Sequence, residues 1–205
     1  MKRSSLLSLI SITTITVLFT TSLLQSGCNG EQFRRGKHFV LREGIAHFSL
    51  DYPPAYSVET FGSSPRDFDL RIARRRIGSN ISDILFSILV QKPNSREPDA
   101  KASLEFHLEE TESAMKYIND FKLLKRSPAV VAGIPGEQII YSHLAYLNFD
   151  DADPSKAFLT TLVKREIFFD YNGLIWNIRI SSGLEKSDEV GADFEHILQT
   201  FKLLR

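Results

Sequence analysis

The side chains that most often bind metal ions are scattered along this sequence. Its five histidines occur singly and none lies four residues from another or beside the cysteine; they are His38, His47, His107, His143 and His196. A zinc site needs three or four such ligands to converge on one ion, and close spacing in the sequence is its usual signature. We therefore predict that the histidines are surface or packed residues, and we predict no metal or cofactor.

A second possible cation site begins at Asp151. The stretch Asp151-Ala152-Asp153-Pro154-Ser155 resembles the start of a calcium loop. Such a loop needs glycine at its sixth position and a bidentate glutamate at its twelfth, where this sequence has Lys156 and Leu162. We interpret residues 150–153 as a solvated turn, with weak cation binding as the alternative.

Motifs of nucleophilic and nucleotide-dependent catalysis are absent from the sequence. It contains no Gly-x-Ser-x-Gly, no Walker loop and no dinucleotide-binding glycine pattern, and the pair Gly133 and Gly136 is too closely spaced and encloses a proline. The sequence therefore predicts no catalytic residues and no enzyme activity.

The net charge of zero argues against a nucleic-acid partner. The chain has 25 basic and 25 acidic residues, whereas a nucleic-acid binder needs a basic excess to offset phosphate charge. The densest basic run is Arg74-Arg75-Arg76. We interpret it as a solvated strand end; the alternative is a docking point for an acidic partner or a lipid headgroup.

The single cysteine, Cys28, follows an apolar N-terminal segment. Lys2 and Arg3 precede residues 6–24, a run of 19 residues without charge, and Ser26 and Gly27 lead into the cysteine. A positive start before an apolar run is typical of an export signal. No second cysteine is present to form a disulfide within the chain.

This segment resembles the type II signal peptides of bacterial lipoproteins, although Gln25 stands where that pattern has leucine and Leu24 lies one step further back. The resemblance implies cleavage between Gly27 and Cys28 and attachment of a diacylglyceryl group to the Cys28 thiol. It implies a membrane partner through this lipid anchor, at the outer face of the bacterial cytoplasmic membrane or in the cell envelope. Two alternatives stay open: an uncleaved anchor, since a run of 19 uncharged residues is long enough to span a bilayer of about 30 Å, and release of a free exported protein.

Beyond the leader (residues 1–27) we predict a tether over residues 28–44 and one domain over residues 45–205. The tether is polar and basic apart from Phe39-Val40-Leu41, and we interpret it as a solvated linker whose cations could lie against anionic lipid. Removing 27 of the 205 residues leaves 178, enough for a core without disulfides or metals.

Hydrophobic periodicity predicts an α+β domain. Alternating or apolar segments indicate strands at residues 46–52, 56–60, 68–72, 84–90, 121–125, 129–131 and 137–147, with a turn at residues 133–136. Helical spacing indicates a helix at about 100–119, capped by Asp99, and a second helix from Ser187.

The clearest local signal is Asn172-Gly173, the preferred pair for a type I′ hairpin. A two-residue loop there fixes the cross-strand partners: Tyr171 with Leu174, Phe169 with Trp176, Ile167 with Ile178 on one face, and Glu166 with Arg179 on the other.

Three segments in this order are similar to the PsbP-like family: Phe48-Ser49-Leu50-Asp51-Tyr52-Pro53, then Ala132-Gly133-Ile134-Pro135-Gly136, then Trp176-Asn177-Ile178-Arg179-Ile180 before the last helix. The resemblance implies an α/β/α sandwich around a largely antiparallel sheet, over residues 45–204. It also implies a non-catalytic, partner-binding role. No functional residue of the photosynthetic members carries over, since Pro54-Ala55-Tyr56 replaces their usual Gly-Trp pair.

The sequence thus predicts an exported, membrane-anchored lipoprotein with a domain that binds an unidentified protein. The alternative is a carrier or sensor of a small apolar ligand held between sheet and helix; a hydrolase is a third possibility.

Overall fold

The computed structural model describes residues 36–42, 44–63, 66–75, 82–115, 120–148 and 157–205, within one compact unit that spans Gly36–Arg205. Gly27, Cys28, Arg76 and residues 150–156 lie outside the described residues. The predictions of a lipidation site and of a solvated acidic turn therefore stay predictions.

Seven strands form an antiparallel sheet with the spatial order β3-β4-β5-β9-β8-β7-β6. Their bounds are β3 Ser57–Ser63, β4 Asp67–Arg75, β5 Ser82–Gln91, β6 Lys122–Val131, β7 Ile134–Asn148, β8 Ala157–Tyr171 and β9 Leu174–Gly183. The strand predicted at residues 84–90 corresponds to β5, which lies inside the sheet, between β4 and β9.

A second, three-stranded sheet contains β1 (Lys37–Leu41), β2 (Phe48–Tyr52) and β10 (Lys202–Leu203), with β2 in the middle. The prediction of a solvated linker is wrong for Lys37–Leu41, because these residues pair with β2 along its length. The physical reason is the apolar patch within β1: the Phe39 ring lies 5.7 Å from that of Phe48, and Leu41 is buried.

The β8–β9 hairpin has the predicted turn and register. Asn172 and Gly173 have φ angles of 52° and 71°, the left-handed values that a type I′ turn requires. Tyr171 is paired with Leu174 and Glu166 with Arg179, as predicted. A similar two-residue turn, Ala132-Gly133, joins β6 to β7. The predicted turn at 133–136 was therefore placed too late, since β7 already begins at Ile134.

The two helices lie against opposite faces of the large sheet. Helix α2 (Ser187–Thr200) buries Val190, Phe194 and Ile197 in the main core. Helix α1 (Ala100–Met115) covers the other face, where Leu104 belongs to a smaller buried cluster. Asp99 caps α1 as predicted, since its Oδ1 accepts a hydrogen bond of 2.8 Å from the Ala102 amide.

These layers confirm the predicted α+β class, with the three-stranded sheet as an addition that the sequence analysis did not foresee. In the part of the chain that the structure describes, neither helix is long and apolar enough to cross a lipid bilayer.

Candidate functional site

A cavity of about 140 Å³ lies between α1 and the sheet. Strands β5, β8 and β9 form its floor and α1 with the loop before it forms its walls. Its apolar lining comes from Leu89, Phe106, Phe168 and Ile175; its polar lining includes Glu97, His107, Glu166, Asn177 and Arg179. Convergent polar groups in a partly apolar cavity are what small-molecule sites usually present.

Glu166 is the centre of the polar network beside this cavity. Its side chain is 1% exposed. Oε1 accepts a hydrogen bond of 2.7 Å from the Tyr141 hydroxyl, and Oε2 accepts one of 2.9 Å from Asn177 Nδ2. The His107 Nε2 atom lies 3.2 Å from Glu166 Oε1. A buried carboxylate with this many partners avoids the cost of an unpaired buried charge.

The network stabilises the ionised form of Glu166. Burial alone opposes ionisation, but the hydrogen bond and charge of His107, with the hydrogen bonds from Tyr141 and Asn177, lower the pKa of Glu166 to about 2. Burial and the neighbouring Glu166 charge raise the pKa of Tyr141 well above its ordinary value. Burial also lowers the pKa of Lys164, which the charge of Glu166 opposes.

Regular structure brings these residues together from distant parts of the chain. Because side chains alternate along a strand, Glu166 points to the α1 face while its neighbours Arg165 and Ile167 point to the other; Ile167 is part of the core beneath α2. His107 comes from α1, one turn beyond the buried Leu104. The Ala100 amide at the start of α1 donates to Asp170 Oδ1 at 3.0 Å, which fixes the helix to the β8–β9 hairpin.

Arg179 faces Glu166 in the predicted register, but the two side chains have different partners. The Arg179 Nε atom donates to Ser87 Oγ at 2.7 Å. The Glu166 oxygens accept from Tyr141 and Asn177 instead. The predicted opposite-charge pair is therefore correct in register, while the contacts of its two members were not foreseen.

A second carboxylate, that of Glu97, belongs to the loop before α1. Its Oε2 accepts hydrogen bonds from Ser103 Oγ at 2.6 Å and from Gln91 Nε2 at 2.8 Å, and its Oε1 accepts one from Asn94 Nδ2 at 3.3 Å. Burial opposes ionisation of Glu97, but these hydrogen bonds prevail and lower its pKa. Glu97 therefore ties the loop, β5 and α1 together.

The outer edge of the large sheet is a separate feature. Strand β6 ends the strand order, so within the described residues one of its sides has no neighbouring strand. Three large apolar side chains on β6 are exposed: Leu123 by 46%, Leu124 by 55% and Val130 by 70%. An edge strand with exposed apolar residues can pair with an added strand.

Among the described residues, those that the sequence analysis considered for metal or partner binding do not converge on one site. No group of three or more His, Cys, Asp or Glu among the described residues could hold a metal ion. Arg74, from the basic run, forms an ion pair with Glu189 on α2, so its guanidinium holds the helix against β4. The Arg75 side chain lies outside the described part of the structure, as does Arg76.

The network around Glu166 was missed by the sequence analysis. Its members are separated by 59 residues between His107 and Glu166 and by 25 between Tyr141 and Glu166. One signal was present: His107 lies between Leu104 and Leu108, on the side of α1 that the periodicity assigns to the core. A histidine there needs a buried polar partner.

Comparison with solved structures identifies the fold. The solution structure of cyanobacterial PsbP (CyanoP) from Synechocystis sp. PCC 6803 matches with a TM-score of 0.53 and 12% identity, over 82% of this chain and 92% of that chain. The crystal structure of LpqN of Mycobacterium tuberculosis, a protein involved in cell envelope biogenesis, matches with a TM-score of 0.51 and 13% identity, over 86% and 96%. This chain has the PsbP-like fold.

The PsbP-like fold is what these matches establish, because fold is preserved at identities where function is not. No protein-family model matches the sequence, and no curated protein matches it significantly. A structure from Bacteroides thetaiotaomicron matches 83% of this chain with a TM-score of 0.49 and 13% identity. This chain spans about half of that protein, 49% of its length.

Proposed function

We propose that this chain is an exported lipoprotein, anchored through a diacylglyceryl group on Cys28, whose PsbP-like domain binds another protein without catalysing a reaction. The anchor is supported by Lys2 and Arg3, the uncharged run at residues 6–24 and the small residues before Cys28. The location that follows is the outer face of the cytoplasmic membrane or the cell envelope.

The start of β1 limits where such an anchored domain can act. Eight residues, 29–36, separate Cys28 from Lys37, the first residue of β1. Fully extended, the nine steps from Cys28 to Lys37 reach about 30 Å. Any partner of the anchored domain must therefore lie close to the membrane surface.

The observation that supports protein binding is the open edge at β6, with Leu124 and Val130 exposed. The partner we propose is an extended segment that adds a strand to this edge. It would carry apolar residues and carboxylates, because β6 contains no acidic residue and the exposed Lys125 has no ion-pair partner among the described residues. Lys122 and Arg126 already pair with Asp120 and Glu137.

The chemistry of the cavity supports binding rather than catalysis. A general acid or base works best when its pKa is near the operating pH; the pKa of Glu166 is about 2 and that of Tyr141 is raised far from neutrality. The hydroxyl of the cavity wall, on Ser103, donates to Glu97. Ser103 and His107 therefore do not form the hydrogen-bonded pair that a nucleophile forms with its general base.

Intact-mass spectrometry of the protein purified from membranes tests the anchor. We expect a chain that begins at Cys28 and carries a diacylglyceryl group, and we expect Cys28→Ser to abolish both the modification and the cleavage. An unmodified Cys28 with the leader still attached would contradict the lipoprotein proposal.

Site-specific photo-crosslinking of the full-length protein in membranes tests the β6 edge. A photoreactive residue at position 124 or 130 should crosslink one defined protein, and Lys125→Glu should weaken that crosslink. The matched control is position 184, where Leu184 is equally exposed at 55% but lies away from β6. Equal crosslinking from position 184, or no effect of Lys125→Glu, would contradict strand addition by an acidic segment.

A further inference from the structure

We propose that the cavity beneath α1 binds a small organic molecule with a carboxylate at one end and an apolar group at the other. This site is distinct from the β6 edge, so the inference goes beyond the protein-binding function proposed above and does not depend on it. It rests on one arginine with unused donors, on the saturation of Glu97 and Glu166, and on the size and lining of the cavity.

Arg179 is the charged group of the cavity that still has donors to offer. A guanidinium carries five N–H groups in a planar fork. Among the described residues, Arg179 uses its Nε group, toward Ser87 Oγ, and forms no ion pair. Its two Nη groups are therefore available at the cavity wall. A carboxylate is the group that best matches such a fork, because two parallel charge-assisted hydrogen bonds can form.

Glu97 and Glu166, two of the three carboxylates of the cavity lining, have no comparable capacity for a cationic ligand. The third, Glu110, is exposed to solvent, where an ion pair with a ligand would be weak. Glu166 is bound by Tyr141, Asn177 and His107, and Glu97 accepts three hydrogen bonds from its own surroundings. An ammonium ligand would have to displace these donors. The negative charges do weaken the binding of an anion, and we therefore expect a dissociation constant of about 1 mM rather than 1 μM.

The size of the cavity limits the apolar part of the ligand. Its volume of about 140 Å³ is close to the roughly 150 Å³ of an engineered protein cavity that holds benzene. Leu89, Phe106, Phe168 and Ile175 provide apolar contacts. A branched or aromatic group of about six carbon atoms fits this space, with its carboxylate at Arg179.

Ligand-observed NMR with the full-length protein in detergent tests the inference. The probes are benzoate, benzamide and benzylamine, which share a ring and differ in the charge of the polar end. We expect benzoate to bind with a dissociation constant of about 1 mM and the other two to bind at least about tenfold more weakly. Absence of benzoate binding, or equal binding of benzamide or of benzylamine, would overturn the inference.

Two arginine variants locate the site. Arg179→Gln should weaken benzoate binding by about tenfold or more, the size expected for loss of a charge-assisted contact. The matched control is Arg71→Gln, because Arg71 is in register with the same Ser87 from the opposite side, on β4, and is not part of the cavity lining. An equal loss in both variants would show a non-specific charge effect and contradict the assigned site.

A third variant keeps the arginine and removes the space. Leu89→Trp should fill the cavity and abolish benzoate binding while Arg179 is intact. Circular dichroism establishes that each variant is folded. Unchanged binding in the folded Leu89→Trp protein would overturn the inference even if Arg179→Gln failed to fold.

Discussion

The Tyr141 hydroxyl donates a 2.7 Å hydrogen bond to Glu166 Oε1, between neighbouring strands and beneath α1. Both side chains are almost fully buried. The contact therefore joins the sheet to the polar network that α1 covers, and it makes Glu166 a structural carboxylate whose charge the fold depends on.

Replacement of Glu166 by Gln should destabilise the protein by about 2 kcal/mol, because Tyr141, His107 and Asn177 would face an amide that can accept fewer hydrogen bonds. Urea unfolding at pH 7, followed by the fluorescence of Trp176, measures the change. Glu195→Gln is the control, since Glu195 pairs with Arg165 at a half-exposed position and should cost less than about 1 kcal/mol. An equal loss of stability in the two variants would show that burial of the network is unimportant.

Acid should weaken the fold through the same carboxylate. The pKa of Glu166 is about 2 in the folded protein and 4.5 ordinarily, so the unfolded chain binds more protons between these values. The stabilisation is complete above pH 4.5 and is lost as the pH falls toward 2, with a total of about 3 kcal/mol. Urea midpoints between pH 7 and pH 2.5 measure it. Glu166→Gln should flatten this profile, and parallel profiles would refute the assignment.

Ionisation of Asp193 should destabilise the fold, which is the opposite of the effect of Glu166. Burial raises its pKa, although the hydrogen bond from the Tyr56 hydroxyl, 2.7 Å long, partly opposes this. A raised folded pKa means that the folded state favours the protonated acid, so its ionisation destabilises the fold as the pH rises. Asp193→Asn keeps an acceptor for Tyr56 without the charge. Thermal unfolding of Asp193→Asn at pH 7 should show no loss of stability, or a gain below about 1 kcal/mol. A clear loss of stability would contradict this prediction.

Replacing either of two glycines by alanine should change the stability of the protein, but in opposite directions. A Cβ at Gly136 would lie 2.5 Å from the Phe168 carbonyl oxygen and 2.9 Å from Phe169 Cβ, so Gly136→Ala should destabilise the protein by about 2 kcal/mol. A Cβ at Gly191, inside α2, would meet nothing within 4 Å. Gly191→Ala should stabilise by about 0.5–1 kcal/mol because alanine favours the helix. Urea unfolding of both variants distinguishes these signs.

Local signals in the sequence predicted most of the large sheet. Alternation located the strands, and Asn172-Gly173 fixed the β8–β9 register, because turn type and side-chain period are set by neighbouring residues. The same reasoning failed for Lys37–Leu41, whose charged start conceals an apolar end that pairs with β2.

The candidate site could not be predicted from local signals of this kind. Its hydrogen bonds join α1, β7, β8 and β9, and a single sequence contains no information on which polar residues of different elements meet. The polar face of the hairpin, with Glu166, Asn177 and Arg179, was visible in the register. The sequence did not indicate that α1, rather than solvent, covers this face. Only the packing of the folded chain shows it.

The three-stranded sheet places the first and the last strand of the described chain on the two sides of β2. Val40 of β1 and Lys202 of β10 are both paired with Ser49, and two strand spacings of about 4.8 Å put them about 10 Å apart. Because both strands are antiparallel to β2, they run in the same direction: β1 begins beside Tyr52, whereas β10 ends beside Phe48. A circular permutant that opens the chain at the exposed turn Asn172-Gly173 would therefore need a linker of about ten residues to run back along β2 from Arg205 to Gly36. A reporter fused after Arg205 would accordingly emerge on the side of the domain where β1 ends, near Leu41.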